Sequence, residues 1–332
     1  MNLSIIQIRA VACIMVLIVH ITAIFSIGGS SNFYNYFLFI LNQLGRFGTP
    51  LFCVITGFLY ANYFYKNFDN KAFFLSRISK IIIPFIIWSL LYIIIIFLFS
   101  KSLFSIFLEN PYYNFITGKS FYHLYFIAII VQFCIFFPLV KKLSFIKIEV
   151  LLSISFLISL ISILYSYKSD LFFISDKTFI GNWIFYFIFG IFAYKIKIIQ
   201  QKIISIILIL CFIIIINIFE IIYSGAMYES KRILNLFYIP VIFYTTYLLF
   251  QEYKNNFLVT ISKYSMGIYF VHPILIVFYK KFLPPQIVSN FPILVFLAMF
   301  LTTIVLCTIF CFIISKFKFS KLIITLPKKI RE

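Results

Sequence analysis

Charged residues are scarce in this sequence, and acidic residues are the scarcest. Of 332 residues only 11% are charged and 9 are Asp or Glu, whereas 64% are apolar. No soluble domain has this balance, so the composition predicts an all-α, polytopic membrane protein. The net charge of +19 does not indicate a nucleic-acid partner, because the basic residues lie in short loops between apolar runs, where they determine topology.

Several chemical signatures are also missing. None of the six cysteines lies in a loop or a C-x-x-C pair, which excludes a disulfide framework and indicates small packing residues. Walker-type, G-x-G-x-x-G and G-x-S-x-G motifs are absent, so no P-loop, dinucleotide site or nucleophile elbow is predicted. No charged leader with a cleavage site precedes the first apolar run, and we expect residues 5–27 to be retained.

Ten apolar runs are long enough to cross a bilayer. They lie at residues 5–27, 36–63, 78–100, 121–140, 148–167, 179–194, 201–223, 232–250, 262–282 and 291–315. We therefore expect a bundle of about ten transmembrane helices that forms one domain over residues 1–332. The second run is too long for a simple crossing, and a break is expected at residues 45–50, where two glycines and a proline unwind or kink a helix.

The distribution of Lys and Arg predicts the orientation. With the N-terminus inside, 19 of the 28 basic residues fall on the inner side and 8 on the outer side, which leaves Arg46 at membrane depth. This positive-inside bias predicts that both termini are cytoplasmic.

The first run carries Arg9 and His20 near its two ends, and the rest of the chain's chemistry is organised around it. Eleven residues at about 100° each make three turns plus roughly 20°, so both side chains leave one helix face. The same spacing separates them by roughly 16 Å along the axis. Because both groups are costly in lipid, we expect them to face a protein interior or a wet cavity, with His20 deep in the span.

Polar residues recur in the second and third runs. Arg46 lies within the expected break, where a buried guanidinium needs Glu220 or a bound anion as partner. Gly57 favours close helix approach. Arg77 and Lys80, one turn apart on one helix face, are either anchoring charges or a phosphate clamp at the cytoplasmic end of the third run.

The three histidines, His20, His123 and His272, all lie in or at the edge of a run, and none lies in a loop. A lone histidine on an apolar face is usually structural, but three such placements favour function. No two share a helix and no carboxylate flanks them, so we expect no metal site.

Five motifs now resemble, in order, those of the membrane-bound acyltransferase-3 family. They are Arg9 with His20, residues 48–58, Arg77 through Pro84, residues 123–126, and Ser265 through Pro273. The resemblance covers essentially the whole chain and is greatest to stand-alone members that lack an SGNH hydrolase-like domain. It implies about ten spans and an O-acyltransferase, typically an O-acetyltransferase of surface glycans, in the plasma membrane of a bacterium.

The resemblance also implies roles for individual residues. A cytoplasmic acyl-CoA, typically acetyl-CoA, would donate the acyl group, and Arg77 and Lys80, with Arg9, would hold its phosphates. His20 would act as the general base, since imidazole titrates near neutral pH, or would carry the acyl group itself. Arg9 and Arg46 complete the expected catalytic set, with Arg46 stabilising the oxyanion.

The acceptor would be a glycan or lipid-linked sugar at the outer face. His123, with Tyr122 and Tyr125 beside it, would contact sugar, and His272 would assist either step. Membrane lipids are the other expected partners, and a homodimer is compatible with the sequence.

Three positions depart from the family pattern. Pro50 stands where many members have an acidic residue, so that position cannot orient a histidine. Lys80 replaces an arginine, which keeps the charge but loses the fork geometry. Gln7 and Ile8 stand where an acidic residue often precedes the arginine.

Two other functions stay open. Broken helices and buried charges also suit an exporter or flippase of polysaccharide or lipid-linked sugar, although no duplicated halves are found. A structural subunit of a synthase complex is the third alternative, and it leaves the histidines and Arg46 without a purpose.

Overall fold

The computed structural model describes residues 2–25, 33–66, 69–168, 176–195, 203–224 and 228–325. Within these ranges the chain is helical and contains no strand, which confirms the all-α prediction. The helices are α1 Leu3–Thr22, α2 Phe33–Gly45, α3 Gly48–Tyr65, α4 Asn70–Arg77, α5 Ile83–Phe99, α6 Lys101–Glu109, α7 Pro111–Ile116, α8 Tyr125–Lys142, α9 Ile148–Lys168, α10 Ile184–Ala193, α11 Ile203–Ser224, α12 Asn235–Glu252, α13 Asn256–Phe282, α14 Pro285–Asn290, α15 Pro292–Ser315 and α16 Ser320–Ile323.

Eight helical segments in the described ranges are long and apolar enough to cross a membrane. They are Leu3–Thr22, Tyr34–Tyr65, Asn70–Phe99, Tyr125–Phe145, Ile148–Tyr167, Ile204–Ser224, Asn256–Phe282 and Pro292–Ser315. The sixth predicted run holds the shorter apolar helix α10, and the eighth holds α12. A polytopic helix bundle is thereby confirmed. The number ten and the cytoplasmic termini stay predictions, and residues 26–27, 201–202 and the basic tail after Thr325 lie outside the described ranges.

The chain divides into two compact units. Unit 1 comprises Met1–Phe52, Lys197–Ile314 and Leu326–Glu332, and unit 2 comprises Cys53–Ile196 and Ser315–Thr325. In unit 1, α1 packs against α2, α12 and α13 and is the central helix. This central place explains its apolar surface, because a helix that is hydrophobic on all sides needs neighbours or lipid all round.

The break predicted in the second run is present between α2 and α3. α2 ends at Gly45, and Arg46 and Phe47 form a tight turn before α3 begins at Gly48. Both glycines lie against α1: a Cβ on Gly45 would come within 2.8 Å of the Met15 carbonyl oxygen, and one on Gly48 within 2.8 Å of the Ala12 carbonyl oxygen. The glycines therefore allow the broken segment to cross α1 in backbone contact.

Unit 2 is held together by a similar contact and by aromatic side chains. A Cβ on Gly57 would lie 1.9 Å from the Phe187 carbonyl oxygen, and one on Gly190 would lie 2.0 Å from the Val54 carbonyl oxygen. The backbones of α3 and α10 therefore touch at Gly57 and Gly190. The close helix approach expected at Gly57 is present. Tyr60 packs edge-on against Phe187 at a centroid distance of 5.6 Å within this core.

A π-turn interrupts the third run. Residues Ile78–Ile82 form it between α4 and α5, and the Ile83 N–H bonds to the Ile78 carbonyl. Pro84 follows at the start of α5. A π-turn holds more residues per turn than an α-helix and is frequently found at functional sites. The shared face of Arg77 and Lys80 was predicted for a continuous α-helix, whereas Lys80 lies in the π-turn, so that part of the prediction stays a prediction.

Candidate functional site

Two of the three histidines meet in unit 1. The rings of His20, on α1, and His272, on α13, stack with their centroids 5.3 Å apart and their planes at 29°. His272 is fully buried, whereas His20 is half-buried and keeps some accessible surface. The pair joins the first and the last of the five motifs.

His272 has a defined tautomer. Its Nδ1 lies 3.0 Å from the Ile268 carbonyl oxygen, and because a carbonyl only accepts, Nδ1 carries a proton. In the neutral ring Nε2 is then the acceptor. Pro273, the next residue, has no N–H for the Tyr269 carbonyl one turn earlier, so α13 has a weakened hydrogen-bond ladder at the histidine.

His20 lies closer to a helix end than the sequence suggested. α1 ends at Thr22 rather than continuing to residue 27, so His20 is in its last turn and not deep within the helix. The last carbonyls of a helix lack partners within it. Here the Thr22 hydroxyl lies 2.6 Å from the Ile18 carbonyl oxygen and 3.1 Å from that of Val19, the first of these last carbonyls.

Asn42 ties Arg46 to this last turn. Its Nδ2 donates to the Val19 carbonyl at 3.0 Å and to the Thr22 hydroxyl at 2.9 Å. Its Oδ1 accepts from Arg46 Nε at 3.3 Å and Nη2 at 3.1 Å. The amide is fully buried. One side chain thus holds both the turn that carries His20 and the guanidinium of Arg46, a connection that sequence reasoning missed.

Glu220, one of the two anions considered for Arg46, has other partners. Its carboxylate lies 3.5 Å from Arg232 Nη1 and accepts from the Tyr238 hydroxyl at 3.3 Å. Arg232 is itself buried and bonds to Asn235 at 3.0 Å. The carboxylate therefore belongs to a network with Arg232 and Tyr238 in unit 1.

Arg9 is half-buried on α1. Within the described ranges its guanidinium makes no hydrogen bond and no ion pair. Because α1 is a continuous α-helix from Leu3 to Thr22, the separation of roughly 16 Å from His20 and the shared face both hold. A half-buried cation in this position is suited to an anionic ligand.

Gln7, noted above as a departure from the family pattern, has a structural task. Its Nε2 donates to the Tyr253 carbonyl at 2.9 Å, and its Oε1 accepts from the Asn255 N–H at 2.6 Å. A carboxylate could not make the first bond, so the amide suits the connection between α12 and α13 that it bridges.

Arg77 and Lys80 lie in unit 2. The Arg77 guanidinium lies over the rings of Tyr60 at 4.6 Å and Phe73 at 4.9 Å, which favours a cation held by aromatic faces. The backbone carbonyl of Lys80 accepts from the Thr325 hydroxyl, which ties the π-turn to the end of the described chain. Both side chains are half-buried.

His123 is fully buried in unit 2 and does not line a surface. Its ring meets Tyr92 edge-on at 4.9 Å and Tyr122 at 5.7 Å. Tyr122 is 40% exposed and, with Tyr125, lines a cavity of about 250 Å³. Lys177 lies over the Tyr125 ring at 4.5 Å. Of the sugar contacts expected here, the tyrosines are accessible and the histidine supports them.

A carboxylate network holds the loop beside this cavity. Asp176 Oδ2 lies 2.7 Å from Lys119 Nζ and accepts from the Tyr113 hydroxyl at 2.6 Å. Its Oδ1 accepts from the Thr178 N–H and hydroxyl, both at 2.8 Å. Burial raises the pKa of the Asp176 carboxyl, but Lys119, Tyr113 and Thr178 together lower it below its usual value. Burial and the carboxylate raise the pKa of Tyr113.

The apolar helices define a multi-pass membrane protein, and the stacked histidines lie between two of its helices, with Arg46 tied by Asn42 to the turn that carries His20. The acyltransferase domain of the acyltransferase-3 family matches residues 2–312. The chain belongs to this family, and membership supports an acyltransferase-type activity.

Curated relatives carry the printed name "Probable poly-beta-1,6-N-acetyl-D-glucosamine export protein" and come from Staphylococcus aureus. The proteins of strains MSSA476 and N315 are 27% identical over 208 residues, and that of strain MRSA252 is 26% identical over the same length. Each match covers 57% of this chain and 55% of the relative, so the chain spans about half the length of the curated relatives it matches. No solved structure matches.

Proposed function

We propose that this protein is a membrane O-acyltransferase of a bacterial plasma membrane. It moves an acyl group, acetyl in the first instance, from a cytoplasmic acyl-CoA to a hydroxyl of a cell-surface or lipid-linked glycan. The observation that carries the proposal is the stacked pair of His20 and His272, with Arg46 tied by Asn42 to the same turn. Family membership supplies acyl transfer as the reaction class.

In the direct reaction His20 accepts the proton of the acceptor hydroxyl while the hydroxyl oxygen attacks the thioester carbonyl. A C–O bond forms, and Arg46 stabilises the oxyanion that develops. The C–S bond then breaks, and the CoA thiolate takes the proton from His20. General acid–base catalysis of this kind is worth about 10²–10⁴-fold.

The second histidine limits the charge of the pair. Two imidazolium rings 5.3 Å apart would repel each other, so the pair carries at most one positive charge. His272, held through Nδ1, stays neutral while His20 takes the proton. In the alternative relay His20 attacks the thioester, the C–S bond breaks, and CoA leaves as the thiol with the imidazole proton. The acceptor hydroxyl then cleaves the N–acyl bond of the acyl-histidine and returns its proton to the imidazole.

The donor would be bound by cations toward the cytoplasmic side. Arg9 has no protein partner within the described ranges and suits a phosphate of CoA, as do Arg77 and Lys80. The roughly 16 Å between Arg9 and His20 along α1 is a distance that the extended phosphopantetheine arm can span. A phosphate held near Arg9 would thus leave the thioester beside His20.

The exporter or flippase stays the second candidate, because the S. aureus relatives are named for glycan export. The two functions differ in what loss of the gene does to a producing cell. Loss of a transferase leaves the surface glycan present without its acyl groups, whereas loss of an exporter lowers the amount of glycan at the surface.

The decisive experiment uses the purified full chain in lipid with radiolabelled acetyl-CoA and no acceptor. We expect slow CoA release by hydrolysis in the wild type and a loss of about 10²-fold or more in His20→Ala. Label that stays on the wild-type protein would favour the relay over direct transfer.

Cys211→Ala, a change at an exposed position of α11, is the matched control and should release CoA like the wild type. Size-exclusion profiles show whether His20→Ala is folded. Full activity in a folded His20→Ala protein would refute the role of His20. If the folded wild type released no CoA from either acetyl-CoA or succinyl-CoA, the exporter function would be favoured over the transferase.

A further inference from the structure

A cavity in unit 1, separate from the one beside Tyr122 in unit 2, has no role in the proposal so far. Its volume is about 700 Å³, and it lies between the ends of α1 and α13, the start of α2, and α14. Its lining includes Ile24, Phe25, Asn35, Tyr279, Gln286 and Ser289.

The cavity lies at the C-terminal ends of the two helices that carry the histidine pair. Ile24 follows His20 by four residues, just beyond the end of α1 at Thr22. Tyr279 follows His272 by two turns of α13, and residues seven apart lie on one helix face. With the predicted orientation this end of both helices is the outer one, which is the side from which a surface glycan would approach.

The lining has the chemistry of a sugar site. Asn35 and Gln286 carry amides and Ser289 carries a hydroxyl, so the lining includes both hydrogen-bond donors and acceptors. Phe25 and the Tyr279 ring offer flat apolar faces. The Tyr279 ring is held in place because its hydroxyl lies 2.7 Å from the Thr302 hydroxyl. Ligand sites of roughly 300–1,000 Å³ bury molecules the size of a disaccharide, whereas the cavity beside Tyr122 is smaller.

We propose that this cavity binds the acceptor: one or two hexose units of a glycan, with the reacting hydroxyl directed along α1 toward His20. This assignment rests on the proposed acyl transfer and adds the place and class of the second substrate. It also gives the short α14 a function, since its residues Gln286 and Ser289 line the cavity.

The test measures CoA release and label transfer from radiolabelled acetyl-CoA, with increasing amounts of a β-1,6-linked N-acetylglucosamine tetrasaccharide. In the wild type the saccharide should accelerate CoA release and take up label. Ser289→Trp fills the cavity and Gln286→Ala removes an amide. We expect about a tenfold or greater rise in the half-saturating saccharide concentration for Ser289→Trp and a smaller rise for Gln286→Ala. The saccharide-independent rate should stay within about twofold.

Thr260→Trp, an exposed change near the other end of α13, is the matched control and should leave saccharide dependence unchanged. An unchanged half-saturating concentration in Ser289→Trp would overturn the assignment of the cavity. A wild type that hydrolyses acetyl-CoA but ignores the saccharide would overturn the assignment of the cavity to hexose units of a glycan. Absence of any His20-dependent CoA release would instead refute the proposed function itself.

Discussion

The Asp176 network permits a prediction whose size follows from its geometry. In Asp176→Asn the amide oxygen can keep the Oδ1 position and both bonds from Thr178. The NH₂ group then faces the Tyr113 hydroxyl and the Lys119 ammonium, which lose their acceptor at 2.6 and 2.7 Å. Because the Lys119 side chain is 37% exposed and can turn to water, we expect a loss of about 2 kcal/mol in the free energy of unfolding.

The same variant fixes the sign of a pH effect. The folded pKa of Asp176 lies below its usual value, so its stabilisation is fully present above the unfolded pKa of about 3.9 and is lost as the pH falls through the folded pKa. The gap in unfolding free energy between wild type and Asp176→Asn should therefore be constant from about pH 5 to 7 and should narrow below about pH 4.

The assay is unfolding of the detergent-solubilised protein by SDS in mixed micelles, followed at several pH values. Asp69→Asn is the matched control: Asp69 caps α4 with a bond to the Ala72 N–H, and Asn caps a helix equally well. That variant should stay within about 0.5 kcal/mol of wild type. A gap for Asp176→Asn that is the same at pH 3.5 and pH 7, or below about 0.5 kcal/mol at pH 7, would refute the reasoning.

Two further changes test other parts of the structure. Gly190→Ala places a methyl group 2.0 Å from the Val54 carbonyl, so α3 and α10 must separate by more than 1 Å; a cost of about 3 kcal/mol in SDS unfolding is expected, and an unchanged stability would show that the backbones do not touch. Asn42→Leu removes the amide oxygen that accepts from Arg46. The kcat for CoA release should fall about tenfold or more, with KM for acetyl-CoA within about twofold of wild type. A change in KM alone would contradict the role of Arg46 at the oxyanion.

Much of the fold could be predicted because its causes are local in the sequence. Long apolar runs predict membrane helices, and the glycines around Arg46 predict the break that separates α2 from α3. Gly57 was expected at a close helix contact, and it lies at one. In each case a residue type forces a backbone outcome, whatever packs against it.

The site was harder to predict, because it depends on which helices meet. His20 and His272 belong to the first and last motifs, and uniformly apolar helices do not indicate which helices pack against them. The stacking of the two rings could therefore not be predicted from the sequence. The end of α1 was placed at residue 27 because apolar residues continue beyond Thr22, where the helix stops. Asn42 gave no signal of its own, since one amide in a polar stretch has many candidate partners.

The π-turn at Ile78–Ile82 has a consequence for how this protein is compared with its relatives. A turn closed by an i→i+5 bond contains one residue more than an α-helical turn, so it is equivalent to a single inserted residue that leaves the surrounding helix intact. Compared with a relative whose helix lacks this turn, residues after it point in a different direction even when they lie the same number of residues from the arginine at position 77. The side chain that takes the place of that relative's second arginine is then not fixed by its sequence separation from Arg77. Alignment columns across this helix are therefore better assigned by the direction in which each Cβ points than by counting along the chain.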